Sequence, residues 1–169
     1  GMYHGQQFEF GNFYCTVGSG KSSRRRSFGV VEVKLNRKLP HILLDSRANN
    51  RFGFSNLPVF KGTQRLQLEG DFNKYFDLYV PDGYERDALY VITPELMALL
   101  IDLGARYDIE IVDDRLYLYS EGEFTLEKQP TIEAIFHLVS VLGGEVQENT
   151  GRYADANVGN RQANIVAEP

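Results

Sequence analysis

Through the first two thirds of the chain, hydrophobic and polar residues alternate with period two. Phe8 and Phe10 flank Glu9, and an apolar run covers Phe13 to Val17. Beyond the polar stretch Gly18-Ser19-Gly20-Lys21-Ser22-Ser23, Val31, Val33 and Leu35 alternate with Glu32 and Lys34. Alternation on both sides of a glycine-serine loop predicts a β-hairpin with a long, basic tip. Leu39 to Asp45 adds a short strand that begins at, or lies on an edge beside, Pro40. Residues 46–63, rich in Asn, Gly, Ser, Arg and Pro, predict a long surface loop anchored by Phe52, Phe54 and Leu57. Leu66 and Leu68, then Phe76, Leu78 and Val80, alternate with polar partners and predict two half-buried strands before the turn Pro81-Asp82-Gly83.

The period then changes. Ala88 to Ile92 is apolar and β-branched, and Thr93-Pro94-Glu95 supplies a capping hydroxyl, a first-turn proline and a first-turn acid. That chemistry predicts a helix from Pro94 to about Leu103, ended by Gly104 in a positive-φ conformation. Tyr107 to Val112 and Arg115 to Tyr119 flank Asp113-Asp114 as a tight hairpin. Ile132, Ile135, Phe136, Val139 and Leu142 predict a second helix after Pro130. The fold class is therefore α+β, a largely antiparallel sheet with two helices in the C-terminal half. Residues 1–150 form the expected single domain, and 151–169 a loose or docked C-terminal tail.

Length and composition leave room for an ordinary core: 169 residues, 43% hydrophobic, without low-complexity runs. Cys15 stands alone, so no intramolecular disulfide forms. Gly1 before Met2 reads as a scar of tag removal, nothing resembles a signal peptide, and the longest apolar stretch falls short of the ~20 residues that span a bilayer. The net charge of −5 hides a polarised chain. Up to Arg65 there are eleven Lys or Arg against three Asp or Glu; beyond it there are seven against twenty. Such asymmetry suits either a basic face held toward an anionic partner or two oppositely charged halves folded together.

Enzymatic motifs fail on context. Gly18-Ser19-Gly20-Lys21-Ser22 looks like the end of a phosphate loop, but Cys15 holds the place of its leading glycine and a strand follows instead of a helix. Gly53-Phe54-Ser55 starts like a nucleophile elbow, yet Leu57 replaces the second glycine. Cys15, His4, His41 and His137 are too scattered to ligate a metal together, and no cofactor motif is present. Asp71, Asp77 and Asp113 are the acidic candidates for hydrolytic chemistry, which needs them to converge in one pocket. Asp108 and Glu110 share a strand face opposite Ile109 and Ile111, the pattern of a solvated face over a core. Arg24-Arg25-Arg26 with Lys21 forms a basic cluster suited to anionic headgroups. Nucleic acid is the weaker partner, because the total charge is negative and no reading motif accompanies the arginines.

The segments Leu68-Glu69-Gly70-Asp71-Phe72-Asn73-Lys74-Tyr75-Phe76, Ala88-Leu89-Tyr90-Val91-Ile92-Thr93-Pro94-Glu95-Leu96-Met97 and Asp113-Asp114-Arg115-Leu116-Tyr117-Leu118-Tyr119 resemble a family of uncharacterised bacterial proteins. In that family a domain of unknown function often accompanies membrane-spanning helices. The resemblance covers Leu66 to Tyr119 and implies the soluble part of a membrane-associated bacterial protein; it carries over no catalytic residue. The reading from sequence is thus a non-enzymatic interaction module that contacts an anionic membrane surface or a protein partner through Lys21, Arg24, Arg25 and Arg26. Self-association into a homo-oligomer through sheet edges is a third reading, beside the hydrolytic one.

Overall fold

In the computed structural model, residues 1–17, 20, 23–50, 63–68 and 70–151 are described. Strands β1 (Met2–Tyr3), β2 (Gln6–Val17), β3 (Arg24–Ser46), β4 (Thr63–Leu66), β5 (Phe76–Pro81) and β6 (Tyr107–Ser120) form one sheet in which every strand pair is antiparallel. Helices α1 (Glu85–Val91), α2 (Pro94–Leu99), α3 (Gln129–Leu138) and α4 (Gly144–Thr150) cover one face of it. The architecture is α+β with a mostly antiparallel sheet.

β3 organises the sheet. Its first half pairs with β2, from Phe8↔Val33 to Val17↔Arg24, and its second half pairs with β5, from Leu43↔Tyr79 to Ser46↔Phe76. β6 pairs with both halves, and the register shifts between Lys34 and Leu39. A fully extended 14-residue strand would span about 46 Å, yet Tyr107 and Ser120 line the same cavity, and Tyr119 hydrogen-bonds Glu110. β6 is therefore sharply bent near Asp113, but the tight hairpin expected at Asp113-Asp114 does not form: Tyr107–Ser120 stays one strand, and both of its halves pair antiparallel with β3 rather than with each other. Asp113 sits at φ 52°, a left-handed conformation that a short polar side chain tolerates.

Alternation decides the two faces. Val31, Val33, Leu35, Ile42, Leu44, Leu78, Ile109, Ile111, Leu116 and Leu118 turn toward the helices and are all but inaccessible. α3 runs through a π turn, Val139–Gly143, into α4, and this long helix buries Ile135, Leu138, Val139, Leu142 and Val146 at helical spacing. Phe136 packs edge-on against Phe8 and Tyr3 at 5.2 and 4.7 Å, which ties the helix to the N-terminal strands.

α2 starts where expected: the Thr93 hydroxyl accepts from Leu96 N–H, and Pro94 occupies the first turn. A π turn, Leu100–Gly104, extends it. Gly104 closes that turn without a positive φ; a Cβ there would lie 3.2 Å from Ile109 Cδ1, a tight approach to which the isoleucine methyl would have to yield. α1 goes beyond the two expected helices. Ala88 and Val91 are its buried positions, and Tyr84 and Ile92, the residues that flank it, are buried as well, so the apolar Ala88–Ile92 run is the end of a short helix and its cap. The anchors Phe52, Phe54 and Leu57, the Gly53-Phe54-Ser55 elbow and the tail beyond Gly151 lie outside the described residues. No helix among the described residues is long and apolar enough to cross a membrane.

Candidate functional site

β2 and the first residues of β3 continue as a two-stranded ribbon past the edge of β6, whose last pairing on this half is Val30↔Tyr119. Phe13, Tyr14, Cys15 and Thr16 on one strand and Arg24, Arg25 and Arg26 on the other are exposed, Phe13 by 55% and Tyr14 by 52%.

Strand alternation divides the three arginines. Cys15 stands opposite Arg26 and Phe13 opposite Phe28, and period two places Arg24 and Arg26 on the face that carries Phe13, Cys15 and Phe28. Arg25 points the other way. Its guanidinium lies 4.5 Å above the Tyr14 ring, and the Tyr14 hydroxyl donates to Glu123 Oε2 at 2.8 Å. A cation over an aromatic face beside a carboxylate is partly neutralised where it stands, so the cluster read from sequence resolves into two outward charges, Arg24 and Arg26, and one retained charge. Lys21 lies outside the described residues.

The ribbon is fastened at its base by the segment after β6. Asn12 Nδ2 donates to Phe124 O at 2.9 Å, and Phe124 N donates back to Asn12 Oδ1 at 2.7 Å. Gly29 N donates to Gly122 O at 2.8 Å.

The sheet face away from the helices departs from expectation. Asp108 and Glu110 do lie opposite Ile109 and Ile111, but they are not solvated: Asp108 is 3% exposed and accepts from Ser46 N–H at 2.9 Å. Glu110 accepts from Tyr119 at 2.9 Å and lies 2.7 Å from His41 Nε2, with His41 itself buried. Burial alone would raise the Glu110 pKa, but the hydrogen bonds from His41 and Tyr119 and the charge of His41 outweigh it and hold the carboxyl below its ordinary value. Burial, then the charge and hydrogen bond of Glu110, push the Tyr119 phenol upward, so it remains a donor at physiological pH.

A lowered native pKa stabilises the fold above the unfolded carboxylate range and loses that contribution as pH falls through the native pKa. Glu110→Gln should therefore cost stability at pH 7, up to the roughly 1.5–3 kcal/mol of a charged hydrogen bond, and the gap to wild type should close in acid. Urea unfolding of both proteins across pH checks this; a gap independent of pH would refute it.

The carboxylates singled out for hydrolysis do not converge. Asp71 is an exposed turn residue paired with Lys74 at 2.7 Å. Asp77 on β5 is clamped by Arg47 at 2.6 Å and by Arg65. Asp113 is aligned with Leu39 and Asp77 with Asp45, at opposite ends of a β3 segment about 20 Å long. Among the described residues no group of three His, Cys, Asp or Glu could hold a metal ion; His4 and His137 are exposed and apart from the buried His41.

A cavity of about 540 Å³ opens where the two ends of β6 meet the start of α3. Its wall mixes Arg106 with Glu121 and Glu123, so neither sign of ligand is selected. Comparison with family models, with curated proteins and with solved structures finds no match to this chain.

Proposed function

We propose that this chain is a non-enzymatic interaction module whose β2–β3 ribbon docks on an anionic membrane surface. One observation carries the reading: Arg24 and Arg26 lie on the same ribbon face as the exposed Phe13. An aromatic ring beside outward guanidinium groups is the combination that rests at a headgroup boundary, the ring in the interface and the charges on lipid phosphates. Each basic residue near an anionic leaflet is worth about 1 kcal/mol, so two give useful but salt-sensitive attachment. The acidic remainder of the chain is repelled by the same surface, which favours a tip-down orientation.

Sedimentation with phosphatidylserine-containing and pure phosphatidylcholine vesicles tests it. The wild type should pellet with the anionic vesicles only and be released by salt. Arg24→Ala/Arg26→Ala should weaken binding by roughly 30-fold, from about 2 kcal/mol, and Arg25→Ala by less. Binding that ignores vesicle charge, or no binding by the wild type, rejects the proposal.

A further inference from the structure

The edge of β2 that faces away from β3 is open over most of its length. β1 pairs only with Gln6 and Gln7, and Phe8 exchanges backbone hydrogen bonds with Gly1, N to O at 3.0 Å and N-terminal amine to carbonyl at 2.5 Å. From Glu9 to Val17 no further strand is present among the described residues. The exchange with Gly1 sets the polarity of that edge. Phe8 turns its N–H and C=O outward, and the register with β3 runs without a bulge from Phe8↔Val33 to Val17↔Arg24. Antiparallel strands alternate, so Phe10, Asn12, Tyr14 and Thr16 also present their backbone groups to the open side.

Natural sheets protect such an edge with lysine, proline, a bulge or a short strand. Glu-Phe-Gly-Asn-Phe-Tyr-Cys-Thr-Val, residues 9–17, has no proline, no bulge and one charge, at its start. We infer that this edge pairs with the same edge of a second copy of the chain, about a two-fold axis perpendicular to the sheet at Phe13.

Placing the axis there uses the whole open edge. Phe10 then bonds Thr16 of the second copy, Asn12 bonds Tyr14, and Phe13 meets its own symmetry mate. The ribbons run in opposite directions, which keeps the two arginine tips apart. The strand position of Glu9 comes opposite that of Val17, the cross-strand neighbour of Arg24. Glu9, Arg24 and Arg26 make no ion pair within the described residues of one copy. Pairing brings these opposite charges to one face of the joined sheet and sets the Phe13 rings of the two copies side by side on it. The inference does not rest on the lipid reading, since its test contains no lipid.

Sedimentation equilibrium of the full chain should show an average mass rising with concentration toward twice that of one chain. Thr16→Pro removes an N–H from the open edge and none from the β3 ladder, and should hold the mass at that of one chain while leaving the thermal midpoint nearly unchanged. Cysteine pairing reads the register independently. Gly11 has open space around its would-be Cβ, and Cys15 is free and exposed. Gly11→Cys places a thiol opposite Cys15 of the second copy in a non-hydrogen-bonded pair, where the Cα separation of about 4.5 Å suits a disulfide. That variant should form a covalent dimer under mild oxidation, and the wild type should not. A single-chain mass up to millimolar concentration overturns the inference and leaves the edge to an extended peptide of another protein. A dimer indifferent to Thr16→Pro, without the Gly11→Cys crosslink, overturns it as well.

Discussion

Phe76→Ala should lower the stability of this protein by about 3–5 kcal/mol, the cost of emptying a buried aromatic site. Phe76 is wholly inaccessible and stacks on Phe72 at a centroid distance of 5.2 Å. It opens β5 opposite Ser46, which is buried with Asp45 at the end of β3, so little around it can collapse into the space. In a chain of this length each kcal/mol lowers Tm by about 2–4 °C, so a fall of roughly 6–20 °C is expected. Its neighbour Tyr75 is 40% exposed, and Tyr75→Ala should stay within about 0.5 kcal/mol. Thermal and urea unfolding of both variants decides the matter; a Phe76→Ala loss under about 1 kcal/mol would mean that β5 is not packed as described. The consequence extends beyond the core, because Asp77, the next residue, holds Arg47 and Arg65 on the far face.

Strands were legible wherever one face of the sheet is apolar and the other polar. Val31, Val33 and Leu35 against Glu32 and Lys34 report the burial that the sheet imposes, and the register with β2 follows from it. At Asp113-Asp114 the break in the pattern was legible but its outcome was not: two short polar residues between apolar runs look the same whether the runs pair with each other or, as here, both pair with β3. α1 was not legible. Tyr90, Val91 and Ile92 have strand-like side chains, and only the burial of Ala88 and Val91 within it, and of Tyr84 and Ile92 flanking it, reveals the longer period. Tertiary burial overrode propensity in that segment, as it can in a helix of seven residues.

The candidate site was legible in composition and not in direction. Three consecutive arginines look like one patch in a linear sequence, yet a strand sends neighbours to opposite faces, and the predicted hairpin already implied that Arg25 would part from Arg24 and Arg26. What no local pattern could supply is the fastening of Tyr14, the ring under Arg25, since Glu123 reaches the Tyr14 hydroxyl from 109 residues away in the chain. The same limit hid the Glu110 cluster. Alternation placed Asp108 and Glu110 on one face correctly, but the period of a strand does not say whether that face meets water. His41 and Tyr119 are 69 and 9 residues away from Glu110, and only the pairing of β3 with the bent β6 brings them to it.

Gly29→Ala should destabilise the protein by about 1–3 kcal/mol, the usual cost of forcing volume into a filled space, and should loosen the base of the ribbon specifically. The requirement for glycine is steric: a Cβ at position 29 would lie 2.5 Å from Cδ2 of Phe124, with two further ring atoms at 2.6 and 2.7 Å. Phe124 is buried at 9% exposure, and its backbone is tied to Asn12 by two hydrogen bonds, so the ring cannot withdraw without moving the segment that carries it. That segment also holds Glu123, which binds Tyr14, and Gly122, which accepts from Gly29 itself. The displacement should therefore release Tyr14 and, with it, the hold on Arg25. Amide hydrogen exchange should show protection lost along residues 12–16 and 24–29 beyond any global change, and little altered in α3. Gly29→Ala/Phe124→Ala gives the converse: removing the ring removes the clash, so the double variant should lose less than the sum of the single losses. Additive losses would show that Gly29 and Phe124 are not in contact, and would detach the ribbon from the helical layer that this contact joins it to.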